Sequence, residues 1–450
     1  MARRYLIETF GCQMNFHDSE RMAGLLESAG YEPAADAAEA DVIVLNTCTV
    51  REKAEDKVFS RIGELRSEAR ARGIEPIVAV AGCLAQQEGS TIFRRSPFVD
   101  VVVGTQAAKR LPMLIADAGR TGVRQFDVNP YDDVSFPLGM ARRVDPVKAY
   151  VTIIEGCNDF CAFCVVPRTR GHERMRPKAD ILAEVREAVL SGRREVQLLG
   201  QIVNHYQAPD DERCDFAALL EAVNDVPGLR RIRFASPHPR HVTPRMVDAI
   251  RELPGVCKHL HLPVQSGSSR ILGAMRRRHT REQYLDLVET IRERVPGIHL
   301  STDIIVGFPG ESAEDFAETL TLAEGVRFHS MFSFKYSERP ETLASKRLRD
   351  DVSEEEKARR LALLQERQKA IQAALHEAAV GTTVEVLVDS VSRRRETELS
   401  GRTSGNTVVN FPGAASQLGS LAMVTIERAG PHSLWGRTGS LTEPVSPPTL

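Results

Sequence analysis

Apolar positions along this chain come in blocks. Short β-branched runs are followed by longer stretches whose apolar residues recur three and four apart. The first run is Tyr5 to Phe10; Asp18 and Ser19 then read as helix caps ahead of Met22, Leu25 and Leu26, which share one helical face. The unit returns as Val42-Ile43-Val44-Leu45 with a charged helical stretch from Glu52 to about Arg70, and again as Ile77-Val78-Ala79-Val80. Continuous runs of this kind suit strands buried on both faces of a parallel sheet. An N-terminal open parallel α/β sheet is predicted over residues 1–125.

A second series occupies residues 143–375. Its strand candidates are Ala149–Glu155, Glu195–Leu199, Arg231–Ala235, His259–Val264, Leu300–Val306 and Phe328–Tyr336, with amphipathic stretches such as Ile181–Leu190 and Glu282–Arg292 between them. About six parallel strands with helices outside predict a partial or complete (β/α) barrel. Glu354 to Ala379 reads as a long connecting helix. From Gly381 the text changes to short alternating strands, such as Val384–Val388, and Gly/Asn turns. That pattern predicts a small all-β barrel over 378–443, and the proline-bearing tail Pro444–Leu450 reads as disordered.

Composition narrows the class. The chain has 450 residues, 42% hydrophobic and 27% charged, in the range of soluble globular proteins. No apolar run is long enough to span a membrane, and Glu8 interrupts the first one too soon for a signal peptide. A cytoplasmic monomer is expected. Lys+Arg number 59 against 61 Asp+Glu, which argues against a uniformly basic nucleic-acid binder. Eight cysteines in such a chain suggest metal or redox roles, not bridges.

Three of them, Cys12, Cys48 and Cys83, fall just past the first three predicted strands. Loops at the carboxyl ends of parallel strands line one crevice, so residues far apart in sequence meet there. Taken singly, each could be a small core residue. Cys157, Cys161 and Cys164 are more telling, because three thiols on one loop can wrap a small cluster. Structural zinc wants four closed ligands, and His172 could complete such a site. A four-iron cluster on three cysteines instead leaves one iron open to a small molecule. Cys214 and Cys257 read as ordinary thiols.

The Cys157-Asn158-Asp159-Phe160-Cys161-Ala162-Phe163-Cys164 run, at the mouth of a barrel, resembles the radical S-adenosylmethionine (SAM) superfamily. Thr9–Asn15, Asn46–Arg51, Ala81–Cys83, Val165–Gly171, Leu199–Asn204, Leu262–Ser268 and Asp303–Glu311 resemble its methylthiotransferase family, and the C-terminal segment resembles the RNA-binding TRAM domain. The resemblance covers about residues 4 to 440. Arg168 departs from it, since the family more often has Tyr there. The resemblance implies two 4Fe–4S clusters, one on Cys157, Cys161 and Cys164 that cleaves SAM and one on Cys12, Cys48 and Cys83 that carries the inserted sulfur. It places Phe163 at the aromatic position before the third Cys and Asp303 and Gly307 by the SAM adenine, while Gly200, Gln201, Gln265 and Ser266 fall at predicted strand ends facing the same mouth, where their polar groups could bind SAM or the substrate base. Glycine at a strand-to-helix turn lets a ligand approach the backbone.

Arginines cluster at 168–176, at 230–233, at 276–278 and at 393–395, which suits a bound RNA backbone. One Trp and seven Tyr are too few for a broad stacking surface, so a folded RNA with one splayed base fits better. The segment Glu398–Thr403, Asn406 and Val409–Phe411 resembles the family branch that acts on N(6)-dimethylallyladenosine next to the tRNA anticodon, at position 37. The expected partners are that tRNA, an electron donor and a sulfur donor. Rival readings are the same chemistry on threonylcarbamoyladenosine or a ribosomal-protein aspartate, and a non-catalytic iron–sulfur RNA-binding protein.

Overall fold

The computed structural model describes residues 3–49, 52–129, 141–392, 395 and 397–441. Val50, Arg51, Arg393, Arg394 and the tail Pro444–Leu450 lie outside the described residues. The chain packs as two units, one of residues 1–144, 155–159 and 165–174, the other of 145–154, 160–164 and 175–450.

The first unit is built on a six-stranded sheet. Its first strand, Arg4–Phe10, lies between Glu32–Pro33 and Val42–Thr47, and Ile77–Gly82, Val101–Val103 and Gln125–Asp127 follow in order. All pairs are parallel. Every residue of Val42–Thr47 is buried, as expected of a strand covered on both faces. Val42 and Val44 pack against Met22, Leu26 and Leu111 on one side, and Ile43 and Leu45 against Val58, Ile62 and Leu65 on the other.

One expectation is corrected. The first helix, Gln13–Ser28, begins on Cys12, and Asp18 and Ser19 are buried within it and do not cap it. Their polar groups are used by neighbours. Ser19 Oγ accepts from Asn46 Nδ2 at 2.9 Å, and Asp18 accepts from the Arg170 guanidinium at 2.6 Å.

In the second unit, six parallel strands form two three-stranded sheets. One runs Arg231–Phe234, Glu195–Leu199, Lys148–Thr152, and the other His259–His261, His299–Val306, Ser330–Lys335. The predicted strands are present, some with shorter bounds. The helix Glu354–Glu377 leads to a closed five-stranded barrel whose core includes Val386, Val388, Leu399, Val409, Phe411 and Ile426. Closure removes the exposed edges that open sheets must protect.

Two arginines fasten this small barrel to the sheet of Arg231–Phe234, Glu195–Leu199 and Lys148–Thr152. Arg233 donates to Glu195 at 2.9 Å, to the Thr403 carbonyl at 2.7 Å and to that of Ser404 at 3.2 Å. Arg231 donates to the backbone of Glu385 at 3.2 Å and to the Arg402 carbonyl. Both side chains are buried. The sequence places them in a cluster for RNA; their hydrogen bonds are made inside the protein. Removing one partner of a buried pair leaves an uncompensated charge, which costs about 3–5 kcal/mol. Arg233→Ala should therefore lower the urea midpoint of the full chain sharply, whereas a joint Glu195→Met and Arg233→Met exchange should recover most of the loss.

Candidate functional site

Strand register builds the first cysteine group. Phe10 pairs with Thr47, and Thr47 with Gly82. These three level positions are followed at once by Cys48 and Cys83, and after one more residue by Cys12. The Cys48 amide donates to the Phe10 carbonyl at 2.8 Å. The three loops are laced by two buried asparagines. Asn46 Nδ2 donates to the Asn15 carbonyl at 2.8 Å, Asn15 Nδ2 donates to Asn46 Oδ1 at 3.3 Å, and the Cys12 thiol donates to Asn15 Oδ1 at 3.3 Å.

The glycines before two of the cysteines are dictated by this lacing. Gly82 has φ 89° and ψ −154°, a region essentially reserved for glycine. A Cβ there would stand 2.3 Å from Asn46 Oδ1 and 2.8 Å from the Thr47 carbonyl. A Cβ on Gly11 would meet Cys48 Cβ at 2.8 Å.

Electrostatics distinguish the thiols. A hydrogen bond from Cys48 holds the Cys12 thiol down to about 6, and Cys12 also caps the first helix, whose N-terminal dipole favours an anion. Burial pushes the Cys83 thiol up, and the Arg170 guanidinium beside it pulls the other way. Arg170 is itself buried. The carbonyls of Thr169 and Arg170 accept from Thr105 Oγ1 at 2.5 Å and Gln106 Nε2 at 3.0 Å. Asn15, Asn46, Asp18 and Arg170 were missed as site residues in the sequence; the Asn46-Thr47-Cys48 spacing was the signal for one of them.

Cys157 lies in the first unit, where its sulfur accepts from the Asp159 amide at 3.5 Å. His172 of the same segment is exposed and contacts Asn158 Oδ1 at 3.1 Å. Cys161 and Cys164 lie in the second unit. The Cys164 amide donates to the Cys161 carbonyl at 3.0 Å, and the Ala162 amide to the Met275 carbonyl at 2.9 Å. The Cys161 sulfur accepts from Arg277 at 3.5 Å. Phe163 packs against the cluster of Ala162, Ile271, Met275, Phe308 and Tyr336.

Among the described residues no three His, Cys, Asp or Glu side chains converge on a single metal ion. A zinc site requires such convergence. A four-iron cluster does not, because each thiolate binds a different iron. N–H groups aimed at the Cys157 and Cys161 sulfurs fit the second chemistry, since hydrogen bonds to sulfur accompany cluster ligation.

The remaining predicted positions divide. Gln201 has a buried Oε1 without a partner, open to a ligand donor. Gln265 takes a φ of 77°, and its amide and carbonyl join the strand at Asp303 and Ile305. Asp303 Oδ1 lies 3.4 Å from His261 Nε2. Ser266 is fully buried and accepts from the Ser268 amide at 3.2 Å. A Cβ on Gly200 would meet Ile154 and Val203 at 3.2 Å, which is close packing. The Gly307 amide donates to Glu311 at 2.6 Å, and Lys357 packs where its Cβ would be. Cys214 and Cys257 are buried, with burial pushing both thiols up, as for inert core cysteines.

The chain matches three families: Uncharacterized protein family UPF0004 over residues 4–104, the Radical SAM superfamily over 151–323 and the TRAM domain over 377–438. It is 46% identical to the tRNA-2-methylthio-N(6)-dimethylallyladenosine synthase of Thiobacillus denitrificans, covering 98% of this chain and 99% of that one. The Sorangium cellulosum protein of the same name is 47% identical, covering 96% and 92%. Among solved structures, the radical S-adenosylmethionine methyltransferase TsrM of Kitasatospora setae superposes with a TM-score of 0.55 at 15% identity, covering 77% of this chain and 74% of that one. That likeness speaks to the fold. No helix among the described residues is long and apolar enough to cross a membrane. Full-length identity at this level and a radical SAM domain flanked by the other two place the chain in the radical SAM methylthiotransferase family, with the tRNA-2-methylthio-N(6)-dimethylallyladenosine synthases.

Proposed function

We propose that the protein replaces the hydrogen on carbon 2 of N(6)-dimethylallyladenosine at position 37 of tRNA with a methylthio group. The observation that carries this reading is the second cysteine group, Cys12, Cys48 and Cys83, on register-matched strand ends. Cleavage of SAM alone would need just Cys157, Cys161 and Cys164. A ring C–H has no proton that a side-chain base could remove near neutral pH, so a radical route is required. When bound, the two clusters supply the electron that cleaves SAM and the sulfur that is inserted. The residues of the chain hold and orient. Asn15 and Asn46 fix the three loops of the sulfur-donor site, Gly82 makes room for Asn46, and Arg170, its charge shared with Asp18, lies beside Cys12 and Cys83. Gln201, Gln265 and Asp303 are the residues assigned to SAM, and the unpartnered Gln201 Oε1 would accept a hydrogen bond from it.

For the tRNA, the described arginines of these clusters that are exposed are Arg168, Arg230, Arg276, Arg278 and Arg395. Phosphate contacts of this kind position an RNA without reading its sequence. The five-stranded barrel, matched by the TRAM family, is the second element assigned to tRNA. Trp435 is taken up by an Arg428 guanidinium 4.3 Å above its ring and by a hydrogen bond to Glu398 at 3.2 Å.

Nucleoside mass spectrometry of tRNA from a strain lacking the gene tests the substrate. The 2-methylthio mark on dimethylallyladenosine should vanish and return on complementation; a mark that persists with no paralogue to supply it rules the reading out. Cys48→Ala should lose about half of the reconstituted iron, since each site holds one four-iron cluster, and should abolish sulfur insertion while 5′-deoxyadenosine still forms. Gly82→Ala should cost at least the ~1–3 kcal/mol of a glycine-only conformation. It should also lower iron uptake at the same site, read by iron analysis beside a thermal melt.

A further inference from the structure

The short helix Ser269–Ala274 runs out into Met275, Arg276, Arg277 and Arg278. Arg276 has φ 58° and Arg278 φ 56°, the left-handed conformation that L-residues rarely adopt. Two such residues flank Arg277, whose side chain is 6% exposed. Its backbone amide donates to the Leu272 carbonyl at 2.9 Å, which closes the turn. The guanidinium donates to Cys161 Sγ at 3.5 Å and to the Pro263 carbonyl at 2.8 Å. Its Nε is buried with no partner, and among the described residues no carboxylate forms an ion pair with it.

The two histidines beside this cation offer it no negative charge. Burial and then Arg277 push His238 down to about 2, and the same two causes push His279 down to about 4. A buried charge without a counter-ion costs several kcal/mol, and strained backbone persists where the surrounding structure holds it for a purpose. The anion that would balance Arg277 is the one built on Cys161.

We propose that Arg277 is a positioning residue of the SAM-cleaving site, which holds the Cys161 sulfur by an N–H···S bond and raises the reduction potential of the cluster bound there. The inference rests on the assignment of Cys157, Cys161 and Cys164 to a 4Fe–4S cluster. Reduction adds negative charge, so a fixed cation and a donor to sulfur both favour it.

The test is an EPR-monitored potentiometric titration of the reconstituted full chain bearing Cys12→Ala, Cys48→Ala and Cys83→Ala, so that one site remains. It is compared with the same chain carrying Arg277→Gln or Arg277→Lys. Arg277→Gln should take up iron as the parent does and titrate at a more negative potential. Arg277→Lys, which keeps the charge but loses the forked donor, should shift less in the same direction. Equal midpoints in all three overturn the proposal. If Arg277→Gln takes up no iron, an Arg277→Lys midpoint equal to the parent overturns it, and a negative shift supports it. Failure of both variants to take up iron overturns it in favour of a purely structural turn. A parent that takes up no iron sinks the cluster assignment itself and this inference with it.

Discussion

Parallel pairing with Phe10, Thr47 and Gly82 level is the constraint on which the first unit depends. Neighbouring strands lie about 4.8 Å apart, so residues that follow level positions emerge close together whatever their separation in sequence. A one-residue slip would turn each strand's side chains to the opposite face. The buried Asn46 amide, which donates to the Asn15 carbonyl and Ser19 Oγ, opposes that slip. The Asn15–Asn46 pair then converts proximity into a fixed geometry. Each amide is buried and each finds partners, which is the condition under which a buried polar network stabilises a single arrangement.

The second unit solves a different problem with similar means. Charged residues face into a barrel that would otherwise bury them unpaired. Arg231 and Arg233 reach the backbone of the five-stranded barrel, and Glu195 lies beside Arg233. The Lys258 amide donates to Ser404 Oγ at 2.7 Å along the same seam. The five-stranded barrel is thus joined to these sheets mostly through backbone carbonyls, with Ser404 Oγ and the Glu385 carboxylate as side-chain acceptors. Such a seam is specific in geometry and indifferent to most side chains on the partner strand.

Strand positions were legible wherever the apolar run was continuous, as in Val42–Thr47 and Ile77–Gly82. That Cys12, Cys48 and Cys83 follow level strand ends was legible from the same runs. What the sequence hid was long-range pairing. Asp18 has the residue type of a cap, but it is matched to Arg170, 152 residues away, and no local pattern records that. Arg231 and Arg233 stand in a basic cluster that resembles an RNA footprint until their carbonyl acceptors 170 or so residues later come into view. Gly307 looked like an open turn for a ligand, yet Glu311 and Lys357 close it from nearby.

The cationic residues also change what near-neutral net charge means. Arg170 and Arg277 are both buried, and each faces a cysteine assigned to a cluster. They differ in one respect. Arg170 shares its charge with Asp18 at 2.6 Å, so the pair presents nearly neutral surroundings to Cys12 and Cys83. Among the described residues Arg277 has no such carboxylate. Because charge and hydrogen bonds near the sulfurs tune an iron–sulfur centre, the two sites of one chain stand in unlike electrostatic settings. A centre that must pass an electron to a sulfonium and a centre that must keep and deliver sulfur need unlike settings. The placement of a single aspartate supplies that difference.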